Sequence, residues 1–166
     1  MILEVAGNLT DHYDPKRKVL KLSTDIYNGN SIASLAVAAH ECGHAIQDKE
    51  KYMPMKIRCS LVPFVNLCTR LGYVAIFIGL IFNSRFLTIG IILLLSMLLF
   101  QLVTLPVEFN ASARALKEIE KSFANKEEKK EAQKMLTAAA LTYVASVLTT
   151  LLQIFRIFII SNNRRR

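Results

Sequence analysis

Residues Phe86 to Leu105, FLTIGIILLLSMLLFQLVTL, run for twenty positions without one charged side chain. A helix apolar on every side cannot be enclosed by the rest of a 166-residue chain. A bilayer core accommodates about 20 helical residues, so this run predicts a membrane span. Leu61 to Phe82 reads as a second span despite Asn66 and Arg70, and Asn83-Ser84-Arg85 as the tight turn of a membrane hairpin. A third span is expected over Met135 to Ile160, interrupted only by Arg156, whose long side chain can snorkel to the interface.

The remaining segments follow from these three. Residues 1–60 precede the hairpin 61–105, residues 106–134 form a charged helical connection around a loop near Asn125, and 161–166 is a basic tail. Lysines and arginines number eight before the hairpin and seven over 106–135, against Arg85 alone at its tip. The positive-inside rule then expects a multi-pass cell-membrane protein with both charged segments in the cytoplasm. Three full crossings would leave Arg164-Arg165-Arg166 outside; either the last helix does not cross or the larger opposing charge count prevails.

Apolar residues make up 52% of the chain and the net charge is +8. The basic residues lie near apolar runs, and no aromatic-rich basic patch accompanies them, so the lipid bilayer is the expected partner and nucleic acid is not. Cys42, Cys59 and Cys68 are odd in number and form no C-x-x-C pair, which suits a reducing compartment. The N-terminal MILEVAGNLTDHYD has neither the basic start nor the apolar core of a signal peptide, so insertion is expected to rely on internal segments. Asn8-Leu9-Thr10 and Asn110-Ala111-Ser112 match the glycosylation pattern, which is too short to carry weight.

Ahead of the spans, KRKVLKLS (16–23) has the pattern of a short edge strand. Tyr27-Asn28-Gly29-Asn30 is turn chemistry, and Ser31 is placed to cap a helix from about Ile32 to Asp48. That helix carries His40-Glu41-Cys42-Gly43-His44. At ~3.6 residues per turn the two imidazoles leave one face, so one metal ion can take both, and Glu41 can reach a water on the open side as general base. Gly43 with Ala36, Ala39 and Ala45 keeps the helix slim enough for close approach by another element. Cys42 points elsewhere.

A catalytic zinc site needs three protein ligands. No histidine stands at the metzincin spacing, and His12, in a turn-like Thr10-Asp11-His12-Tyr13-Asp14-Pro15, is the weaker alternative. Two spans separate His44 from Glu108, so the chain crosses and returns, bringing Glu108 to the side of the histidines. An acidic residue at the membrane surface is costly unless paired or coordinated.

HECGHAIQ, LTDHYDP, and QLVTLPVEFNASARAL followed by AAALTYVA resemble, in content and order, the YugP-like neutral zinc metallopeptidases of bacterial membranes over essentially the whole chain. The wider membrane gluzincins, among them the heat-shock membrane protease and the CAAX prenyl protease, take their third zinc ligand from an E-F-x-A-D pattern beyond a membrane hairpin. Glu108-Phe109-Asn110-Ala111-Ser112 is similar. The resemblance implies Zn2+ held by His40, His44 and Glu108, with Glu41 as base. Ser112 stands where the wider group has Asp, so support of a ligand histidine falls to Ser112 or to another residue. The family also implies a membrane segment ahead of LTDHYDP.

The fold expected is therefore mainly α and membrane-embedded, with a zincin-like helix and a short edge strand. The expected activity is hydrolysis of a peptide or membrane-protein substrate by Glu-assisted attack of zinc-bound water, with Tyr143, His12 and Tyr13 as candidates to steady the oxyanion. The polar run after Ala45, Gln47 to Lys51, places the site at the surface and not deep in the bilayer. The rival is a non-catalytic membrane scaffold keeping a structural zinc, which would have no need of Glu41.

Overall fold

The computed structural model describes residues 1–122 and 125–163. The basic tail from Arg164 and part of the loop near Asn125 lie outside the described residues. In chain order the elements are β1 (Ile2–Val5), β2 (His12–Asp14), β3 (Val19–Ser23), α1 (Thr24–Tyr27), α2 (Ile32–Lys49), α3 (Met53–Ile81), α4 (Ser84–Ser122) and α5 (Lys126–Asn163). The protein is mainly helical, as expected, with a small three-stranded sheet at the N-terminus. Helices over Met53–Ile81, Arg85–Lys121 and Lys126–Asn163 are each long and apolar enough to cross a membrane.

All three long helices outrun the apolar stretches that announce them. Span and charged connection are one helix of 39 residues with Pro106 inside it. A proline removes one helical hydrogen bond, and the helix-forming residues on both sides carry the helix through it. Pro54 sits in the first turn of α3, where its missing N–H costs nothing.

The chain divides into two compact units. The unit formed by 57–105 and 143–166 has a buried cluster of Ile76, Leu87, Leu94 and Ile157. Its outer faces carry exposed Phe77, Leu99, Leu152 and Phe155, the reverse of a water-soluble surface. Gly79 lets α3 touch α4 at the hairpin: a Cβ there would lie 2.6 Å from the backbone nitrogen of Leu87.

The other unit comprises 1–56 and 106–142. Its sheet has the order β1-β3-β2, with β1 parallel and β2 antiparallel to β3. The strand expected at an edge is therefore the central one, with Val19, Leu20, Leu22 and Ser23 buried. Its flanking strands are only four and three residues long, and β1 pairs with a strand far along the chain, so local pattern did not announce them. The turn between β2 and β3 is held by Asp14 Oδ1, which accepts from the backbone N–H of Lys16 and Arg17 at 3.0 and 3.1 Å.

Helix α2 starts as expected, with Ser31 Oγ accepting from Ser34 N at 3.0 Å. Its small-residue face buries Ala36 in a cluster with Ala115, Ile119, Ala132 and Leu136. The charged connection is thus amphipathic, burying Ile119 and Ala132 while its charges from Lys117 onward are exposed or half-exposed.

Candidate metal centre

Helix α2 supplies two imidazoles and α4 a carboxylate. His40 and His44 stand one turn apart with ring centroids 4.9 Å from each other and planes at 85°. Glu108, fully buried, places Oε2 3.1 Å from His40 Nε2 and 3.5 Å from His44 Nε2. The candidate ligand atoms of the three all lie within 4.8 Å of one another. The approach of the helices depends on Gly43, since any Cβ there would run into the carbonyl oxygen of Ala111.

Each histidine turns its other nitrogen to an oxygen. Ser112 Oγ lies 3.2 Å from His40 Nδ1, so the serine at the position of the wider group's Asp meets a histidine after all. Gln47 Oε1 lies 3.0 Å from His44 Nδ1. The Gln47 amide donates to the carbonyl of Val107 at 2.8 Å and to Asn110 Oδ1 at 3.0 Å, bracketing Glu108 in sequence. Arg114 Nε donates to the same Asn110 oxygen at 2.7 Å and pairs through Nη1 with Glu50 at 2.7 Å. Gln47 is fully buried, so the polar run that reads as the helix exit begins with a core residue.

Burial alone would push His44 down, but the hydrogen bond and charge of Glu108, with Glu41 and Gln47 behind them, hold it above the ordinary histidine range. The pocket favours positive charge at that imidazole. Two imidazole nitrogens and one carboxylate oxygen, the histidines each backed by an oxygen, are the ligand chemistry of catalytic zinc. The residues fit the ion.

Glu41 lies beside the three. Its Oε2 accepts from the backbone N–H of Tyr13 at 2.9 Å, tying β2 to α2. The Tyr13 hydroxyl donates to Asp48 Oδ2 at 2.8 Å, and burial followed by Asp48 pushes Tyr13 up to about 12. What Tyr13 brings to the centre is therefore its backbone amide, its hydroxyl proton being engaged. His12 Nδ1 donates to the Thr10 carbonyl at 2.7 Å and stands outside the ligand group, while Tyr143 belongs to the other unit. Sequence reasoning missed Gln47, although its place one turn beyond His44 was a usable signal.

This geometry meets an independent comparison. A family model described as "Putative neutral zinc metallopeptidase" matches residues 1–162. The chain belongs to that family. It is similar to the "Putative membrane protease YugP" of Bacillus subtilis (strain 168), with 43% identity over 163 residues, 97% of this chain and 72% of that relative. No solved structure matches the chain. The family name implies zinc, and His40, His44 and Glu108 form the group able to hold it.

Proposed function

We propose that the protein is a membrane-bound zinc peptidase in which His40, His44 and Glu108 hold the ion and Glu41 is the general base. The observation that carries this reading is the convergence of two α2 imidazoles on a fully buried α4 carboxylate. When bound, the zinc ion supplies Lewis acidity that acidifies water and polarises a carbonyl. The Glu41 carboxylate, held at Oε2 by Tyr13 N–H, takes the proton of the attacking water and passes it to the leaving amine. Glu108 and the two histidines keep a fixed constellation because each is packed or hydrogen-bonded on its far side. A structural zinc would have no use for Glu41.

The substrate proposed is a peptide or membrane protein, in extended form against the short strand β2, and the lipid bilayer surrounds the apolar helices. The distribution of Lys and Arg, eight and seven against one, supports a multi-pass arrangement with the active site facing the cytoplasm. Reporter fusions after Lys49 and at Asn83 should read cytoplasmic and external; a cytoplasmic Asn83 overturns the orientation. For the reaction itself, Glu41→Gln should retain zinc and lose about 10²- to 10⁴-fold in peptide hydrolysis. Loss of the metal in that variant would remove Glu41 from the role of base.

A further inference from the structure

Gln47 has more to do than join two helices. Its amide can sit in only one orientation. The Val107 carbonyl is an acceptor alone, so the group 2.8 Å from it must be the Gln47 NH2. A second lock acts from the other side. Arg114 Nε is a donor alone, so the Asn110 atom it meets at 2.7 Å must be Oδ1, and the Gln47 atom 3.0 Å from that oxygen must again be the NH2. Both locks leave Gln47 Oε1 facing His44 Nδ1 at 3.0 Å, and a carboxamide oxygen only accepts. A proton of His44 is thereby held on Nδ1, which leaves Nε2, 3.5 Å from Glu108 Oε2, as the nitrogen for the ion.

We infer that Gln47 is a positioning residue that sets the tautomer of His44 for metal binding, and that Asn110, Arg114 and Glu50 hold Gln47 in the required orientation. This rests on the reading of His40, His44 and Glu108 as the ligand set. The chain of contacts runs from a partly exposed ion pair to a buried ligand, Glu50 to Arg114, Asn110, Gln47 and His44. A neutral imidazole with the opposite tautomer would present a proton where the ion must sit. A partner that fixes the ligand tautomer is commonly worth 10- to 100-fold in metal affinity.

The test compares Gln47→Met with Gln47→Glu in the whole 166-residue chain, detergent-solubilised. Two quantities are read: Zn2+ affinity by chelator competition, and the His44 tautomer by 15N NMR of the metal-free protein at a pH where the imidazoles are neutral. Methionine fills the space but offers Nδ1–H no strong acceptor, so the tautomer should become mixed and zinc affinity should fall roughly 10- to 100-fold. Glutamate still offers an oxygen to Nδ1–H while facing the Val107 carbonyl unfavourably, so it should keep the tautomer and stay within about threefold of the parent affinity. A Gln47 that merely bridges helices gives the reverse order, because the glutamate meets the carbonyl with like charge. An unchanged tautomer in Gln47→Met, or a mixed one in Gln47→Glu, overturns the inference. Should the methionine variant not fold, the glutamate tautomer decides alone. If the parent protein bound no zinc, the ligand reading would fall, while the tautomer result would still decide the role of Gln47.

Discussion

Helix α4 leaves Ile92 and Leu99 61% and 64% exposed in its first half and buries Glu108 completely in its second. One continuous helix therefore serves opposite ends. In the unit that holds residues 84–105, apolar side chains turn outward, which is favourable only where the surroundings are themselves apolar. In the unit that holds residues 106–122, polar side chains turn inward, and each finds a specific partner. The first half is specified by hydrophobicity and length, tolerant in detail. The second is specified by individual hydrogen bonds, where a single atom matters.

Four substitutions probe that difference. His44→Ala, the most severe, leaves two of three ligands and should abolish zinc retention through a desalting step, as measured by metal analysis. Gly43→Ala comes next: its Cβ meets the Ala111 carbonyl, so α2 and α4 must separate. Overpacking of this kind costs about 1–3 kcal/mol, readable in thermal unfolding of the detergent-solubilised protein.

Tyr13→Phe removes the hydrogen bond to Asp48 and should cost about 1 kcal/mol. The same contact has a pH signature. Because the folded-state pKa of Tyr13 is raised from 10.0 to about 12, its contribution is fully present below pH 10 and is lost as pH rises toward 12. Phenolate absorbance of the parent against Tyr13→Phe checks it; a Tyr13 titrating near 10 would contradict the contact. Least of all, Phe77→Leu on the exposed face of α3 should change stability by less than about 0.5 kcal/mol. An effect there as large as that of Gly43→Ala would erase the distinction between the units.

The parts legible in the sequence were those written in local chemistry. The charge-free run 86–105 announced its helix, Ser31 its cap, and His40 and His44 their shared face through spacing alone. Glu108 was reachable by counting crossings, since a buried acid needs a reason. Illegible were features made by contacts distant in the chain. The pairing of β1 with β3 turned an expected edge strand into a central one. Gln47 read as the polar exit of a helix because its partners, Val107 and Asn110, lie some 60 residues on. Pro106 stands where the two compact units divide, but the sequence does not reveal that one helix passes through it.

The central claim is that the ligand set closes across the hairpin at Glu108. Zinc affinity of the purified protein, measured by chelator competition for the parent, Glu108→Ala and Glu118→Ala, tests it most directly. Glu118 lies on the same helix but pairs only with exposed Lys121, at 2.9 Å, among the contacts described. The account predicts a fall of several orders of magnitude for Glu108→Ala, as expected when one of three ligands is removed, and none beyond about twofold for Glu118→Ala. A Glu108→Ala protein that bound zinc as tightly as its parent would contradict it.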